Sequence, residues 1–236
     1  MDKILAELVR KLTRAYGDSL ISVVLYGSGA AGDHQPNYSD LNVLCVLREV
    51  GTAQLSAAEE IFRWWREQGS PAPLLLTEQE LKTSTDCFAI ELHDIRRTHR
   101  LLYGANVIAG LEEDNTFYRA QVEHDLRAKF LRLRQKAAGL MFDPSLLRRL
   151  LLDSLSTFCV LYRHALILHG IEAPYRKREV LSAAREHLHI DTFAFEQLLD
   201  LREERIKARD VDGRALLDSC LRSIASAIDV VDRLAK

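Results

Sequence analysis

The sequence predicts an α/β region followed by an all-α one. Three observations carry this. Residues 20–26 and 41–47 are short runs rich in β-branched and apolar residues, and they flank a loop full of turn chemistry. Helix-spaced segments alternate with such runs as far as about residue 110. Beyond Gly110 the chain reads as helices alone. The expected architecture is a small mixed sheet with flanking helices in residues 1–110, then a helical bundle in residues 111–236.

Each element has its own justification. Residues 2–16 place Ile4, Leu5, Leu8, Val9 and Leu12 on one helical face, and Gly17-Asp18 ends that helix. Residues 20–26 read as a buried strand. The loop 27–39 carries three glycines, Pro36 and Asn37. Residues 41–47 form a second apolar strand. Residues 53–69 read as one helix with Leu55, Ala58, Ile61, Phe62 and Trp65 inward, stopped at Gly69. Pro73 to Leu76 is a short strand. Thr77, with Glu80 three residues on, reads as a capping box opening a brief helix. In residues 88–93, Phe88, Ile90 and Leu92 alternate with Ala89, Glu91 and His93, which predicts a strand with one polar face. Helices are expected over 114–138, 143–169, 177–188, 193–207 and 212–235. Gly139, Gly170 and Asp212-Gly213 mark their limits, and Asp143-Pro144 is a helix opening with proline in the first turn.

Bulk properties narrow the function. The chain has 236 residues, 47% of them apolar, and a formal net charge of −2, so no global field draws it to nucleic acid or to an acidic membrane. Cys45, Cys87, Cys159 and Cys220 match no zinc or redox spacing and read as reduced thiols. The segment from Met1 to Arg10 is charged and helix-like rather than leader-like, and no run is expected to reach the ~20 apolar residues that span a bilayer. A cytoplasmic protein without a membrane partner is the expectation.

The most informative stretch is Leu25-Tyr26-Gly27-Ser28, then eleven residues, then Asp40-Leu41-Asn42-Val43-Leu44. Gly27 lets a backbone come close to phosphate, and the N–H groups of the following turn and the Ser28 hydroxyl can donate to its oxygens. Residues 40 and 42, two apart on a strand, share a face. This pattern resembles the minimal nucleotidyltransferase family of the DNA polymerase β-like superfamily. The likeness covers about residues 18–77, with a looser one to 104. The helical remainder resembles HEPN bundles and the C-terminal domain of kanamycin nucleotidyltransferase-like enzymes.

The resemblance implies a protein that binds a nucleoside triphosphate at Gly27, Ser28 and Asn42 and transfers a nucleoside monophosphate to an acceptor the sequence does not name. In the family, carboxylates at the positions of Asp40 and Asn42 hold Mg²⁺ and a third comes from a neighbouring strand. Here Asn42 is an amide, which brings no charge to a hard dication. The strand 73–76 has no carboxylate, and the loop Gly29-Ala30-Ala31-Gly32-Asp33 has no basic residue. Asp40 and Asn42 are thus the candidate metal ligands of a depleted site. Asp40 and Glu91 are its candidate catalytic residues, Glu91 supplying the missing charge from the next strand.

Two readings of other classes stand beside this one. A depleted site suits a non-catalytic interaction module in a toxin–antitoxin-like or other paired assembly, including self-association through helix faces. Arg163 and His169, with five residues between them, match the loose spacing of HEPN ribonucleases. On an ideal helix, however, the two lie about 240° apart. Arg96, Arg97, His99 and Arg100 form a basic cluster suited to phosphate or an RNA backbone, or to a solvated surface.

Overall fold

Four strands form the sheet of the first half of the chain: β1 (Leu20–Tyr26), β2 (Asn42–Leu47), β3 (Leu74–Thr77) and β4 (His99–Gly104). The computed structural model describes residues 1–32, 41–111 and 115–234. The chain divides into two units, Met1–Phe117 and Tyr118–Lys236. The strand order is β3-β2-β1-β4. β1 pairs antiparallel with both β2 and β4, and β2 pairs parallel with β3. The sheet is small and mixed, as expected.

Both of its faces are buried, which is why β1 and β2 read as continuous apolar runs rather than alternating ones. On one face Val23, Leu25, Val43, Cys45 and Leu47 pack against Leu5, Leu8 and Leu12 of α1 (Asp2–Tyr16) and Trp65 of α4 (Glu59–Glu67). On the other, Val24, Leu44 and Val46 meet Leu81 of α5 (Glu78–Thr83), and Leu92 and Ile95 of α6 (Ala89–Arg97). Between β1 and β2 lies a single helical turn, α2 (Ser28–Ala31).

Three expectations in this unit need correction. The helix expected over 53–69 is two, α3 (Thr52–Ala57) and α4, broken at the fully buried Ala58, whose ψ of −1° departs from the helical value. No glycine or proline marks that break. The stretch 88–93 is not a strand but the start of α6. Its buried residues are Ala89, Ile90, Leu92 and Ile95, a helical repeat that becomes legible only when Ile95 is included. Glu91 consequently sits on a helix. The strand the sequence reading missed is β4, a sheet edge that opens on His99 and Arg100 and leaves Arg100 and Leu101 exposed, so no apolar run betrays it.

The second unit is all helical: α7 (Tyr118–Ala138), α8 (Pro144–Leu168), α9 (Lys177–Leu188), α10 (Phe193–Arg202) and α11 (Gly213–Asp232). α7 buries Tyr118, Val122, Leu126, Phe130, Leu133 and Ala137, a stripe at three- and four-residue spacing. α8 is the central helix and touches α7, α9, α10 and α11. Two ends differ from expectation. α7 begins at Tyr118 rather than near 114. α10 stops at Arg202 rather than 207, because Glu204 turns to a φ of 56° and the Arg205 N–H bonds back to the Asp200 carbonyl.

α8 bears on the expectation about spans. An 18-residue window within its 25 residues reaches a mean hydropathy of 1.3, enough by length and composition to cross a bilayer, and 56% of that window is buried inside the protein. It carries Arg148, Arg149, Asp153 and Arg163.

Candidate functional site

β1 ends at Tyr26, and Gly27 follows with φ 71° and ψ −150°, on the left-handed side that side chains disfavour. A Cβ there would also lie 3.2 Å from Asn42 Nδ2. The positive φ is what favours glycine here, and the close contact places the loop backbone beside the Asn42 side chain at the start of β2. The Ala30 and Ala31 N–H groups both donate to the Gly27 carbonyl at 3.0 Å, which closes the α2 turn. The N–H groups of Ser28 and Gly29 precede that bonding, as the first amides of any helix do. Gly29 is buried against Leu41, where a Cβ would lie 3.0 Å from Leu41 Cδ2. The Leu41 N–H in turn donates to the buried Ser70 hydroxyl at 3.2 Å, which fixes how the chain enters β2.

Asn42, Tyr26 and His99 therefore form one row across the sheet: Tyr26 is the register partner of Asn42 on β2 and of His99 on β4. His99 Nδ1 donates to the Ile95 carbonyl of α6 at 2.9 Å. Tyr26 is half-buried, and its phenol pKa is raised, first by burial and second by the negative charge of Glu91. Tyr26 thus stays a protonated hydrogen-bond donor at neutral pH.

A cleft of about 500 Å³ opens beside this row. Tyr26 and Asn42 line it together with Val50, Leu55, Phe62 and Leu74, and Pro71-Ala72-Pro73 forms its rim. Neither the Asn42 amide nor the Tyr26 hydroxyl makes a hydrogen bond among the described residues.

Sequence reasoning singled out Gly27, Ser28 and Asn42, and the structure brings them together. Asp40 lies outside the described residues. β3 carries Leu74, Leu75, Leu76 and Thr77, without a carboxylate. Glu91 is exposed on α6, and its charge reaches Tyr26. Of the basic cluster, Arg100 pairs with Asp2 at 2.9 Å and His99 is held to Ile95. In the helical unit the Arg163 guanidinium is buried over the Tyr175 ring, 4.7 Å from its centroid. His169 Nδ1 donates to the Ala165 carbonyl of its own helix at 2.8 Å. Tyr26 and the apolar cleft walls were missed, since nothing in a strand-end tyrosine or in α3 and α4 announces a shared cavity.

No protein-family model and no curated protein matches this chain. Among solved structures it is similar to spectinomycin adenyltransferase AAD(9) from Enterococcus faecialis, determined with ATP and spectinomycin. The TM-score is 0.58 at 14% identity, over 98% of this chain and 99% of that one. The fold is nucleotidyltransferase-like. A toxin–antitoxin structure with AMP-PNP aligns at TM-score 0.30 and 16% identity over 43% of this chain and 74% of that chain, a likeness too slight to weigh.

The described residues do not fit a pair of Mg²⁺ ions. Among the described residues Asn42 is neutral, β3 has no carboxylate, and Glu91 of α6 is exposed and brings its negative charge near Tyr26.

Proposed function

We propose that this protein binds a nucleoside triphosphate as a nucleotidyltransferase-type protein with a depleted metal site. The observation that carries the reading is the Gly27-Ser28 turn, held against Asn42 at the head of β2 by a glycine that no other residue replaces without strain. Ser28 contributes a hydroxyl, and the first amides of α2 contribute donors to phosphate oxygens. The similarity to an adenyltransferase determined with ATP, extending over nearly the whole of both chains, supports the same reading. Asp40 and Glu91 are the candidate catalytic carboxylates in this proposal. Transfer of a nucleoside monophosphate to an acceptor is the further step the ancestry suggests, and no metal-dependent step is derived from the residues described.

Thermal denaturation with ATP tests it. ATP is expected to raise the transition temperature, to do so nearly as well in EDTA as in Mg²⁺, and to lose the effect in Gly27→Val. If no nucleoside triphosphate at millimolar concentration shifts the transition, the proposal fails and a non-catalytic interaction module becomes the better account.

A further inference from the structure

The helical unit carries cations that its own packing does not use. α7 has six lysine and arginine side chains. Arg119 and Arg127 both pair with Glu123 at 2.9 Å, and the Arg134 guanidinium lies over the Phe130 ring, 3.9 Å from its centroid. The other three, Lys129, Arg132 and Lys136, are exposed and make no ion pair among the described residues. On an α-helix these three fall within an arc of about 60° and span about 10 Å of its length. The carboxylate of that arc is Asp125, one turn before Lys129, and its Oδ1 meets His124 Nδ1 at 3.1 Å. A formal charge of −2 over the whole chain thus coexists with a local basic track.

The track runs toward an exposed aromatic ring. Lys136 lies in the last turn of α7, and Phe142 stands in the connection that follows. Arg214 of α11 anchors that connection. Its Nε donates to the Met141 carbonyl at 2.7 Å, and its guanidinium sits over the Phe142 ring, 5.3 Å from the centroid. Phe142 is nevertheless 94% exposed, so core packing does not account for it. Arg149, in the second turn of α8, is a further exposed cation without an ion pair among the described residues.

We propose that this part of the helical unit binds a single-stranded nucleic acid, with Lys129, Arg132 and Lys136 on its phosphates and an unpaired base stacked on Phe142. A row of cations leading to an aromatic face is the combination that sequence-tolerant single-strand binding uses, since every base has a flat face to stack. An anionic lipid surface is the poorer match. An interfacial helix needs an apolar outer face, and the large apolar side chains of α7 other than Leu131 are buried. The proposal uses residues of the helical unit alone, so it stands or falls separately from the nucleotide reading.

Fluorescence anisotropy of the full chain with end-labelled oligouridylate and oligothymidylate, titrated with salt, tests it. At low salt at least one of the two is expected to bind, and the affinity should fall steeply as salt rises. Replacing Lys129, Arg132 and Lys136 together by glutamine should weaken binding tenfold or more and flatten the logarithmic salt slope by about 2. Phe142→Ala should weaken binding about tenfold and leave the slope unchanged, because stacking neutralises no phosphate. All four side chains are exposed, so these variants should keep the wild-type transition temperature. Lys207→Gln, which removes an exposed cation outside the track, should bind as wild type does. Binding indifferent to the triple replacement or to Phe142→Ala, or weakened as much by Lys207→Gln, overturns the assignment. So does association with vesicles of phosphatidylserine and phosphatidylcholine when neither oligonucleotide binds. Oligonucleotide binding without an ATP-induced thermal shift leaves this inference standing and removes the nucleotide reading; an ATP shift with no oligonucleotide binding does the reverse.

Discussion

Single residues decide what this site can do. Asn42 is the clearest case, because replacing its amide by a carboxylate adds one anionic oxygen pair without changing shape. Asn42→Asp is expected to make the ATP-induced thermal shift depend on Mg²⁺, which wild type should not show. A shift equally indifferent to metal in both proteins would mean that position 42 faces no phosphate. Gly104 is the steric counterpart. Its φ is 78°, and a Cβ would lie 2.0 Å from the Ile21 carbonyl oxygen, so Gly104→Ala must displace β4 from β1. A loss on the order of 2–3 kcal/mol is expected from urea denaturation. Gly27 and Asn42 were legible in the sequence because a turn glycine and a strand head at fixed spacing form a local pattern. Tyr26 was not, because its partners on either side come from distant segments, and only pairing reveals that it occupies the centre of a row.

At the scale of elements, local capping chemistry proved readable. Thr77 Oγ1 accepts the Glu80 N–H at 3.1 Å, and Glu80 Oε2 accepts the Thr77 N–H at 2.7 Å, the reciprocal pair the sequence predicts. Thr77→Ala is expected to cost about 1 kcal/mol, measured by thermal or urea unfolding. Asp143 caps α8 from one side only, its carboxylate accepting the Ser145 and Leu146 N–H groups. The Ser145 hydroxyl, then the Leu146 N–H, hold its carboxyl below the usual aspartate range. A lowered folded-state pKa contributes stability above the unfolded value and loses it as pH falls through the folded one. Wild type should therefore lose more stability than Asp143→Asn on acidification below the ordinary aspartate pKa, and parallel pH profiles would refute that assignment. Elements without such signatures were misread. α6 lacks a side-chain cap at Phe88 and begins with three alternating apolar residues, so a six-residue window favours a strand. Burial of Ile95, one turn further along, is what makes the helix the better solution.

For the whole molecule, the balance of apolar burial matters most. α8 is apolar enough to span a bilayer when taken alone, yet it buries Leu147, Leu151, Leu155, Phe158, Tyr162 and Leu166, and the Tyr162 hydroxyl shares a hydrogen bond of 2.9 Å with Ser223 of α11. Of its apolar window, 56% is buried inside the protein. In a detergent phase separation the protein is expected in the aqueous phase, and partition into the detergent phase would show that α8 is not held in the bundle. Among interactions within that core, Phe158 stacks edge-on with Phe195 at 5.8 Å, and Phe158→Ala should cost roughly 3–5 kcal/mol in denaturant titration.

The sequence by itself determined the order of α/β and all-α segments, nearly all of the helices, and the Gly27-Ser28 turn before a strand headed by Asn42. Each of these depends on periodicity, turn residues or capping, which act over a few positions of the chain. Only the tertiary structure decided that His99–Gly104 forms a sheet edge, that Glu91 lies on a helix, and that Tyr26 and Asn42 open onto an apolar cleft. Those outcomes depend on which distant surfaces bury one another, and burial is a property of packed neighbours rather than of any local stretch of sequence.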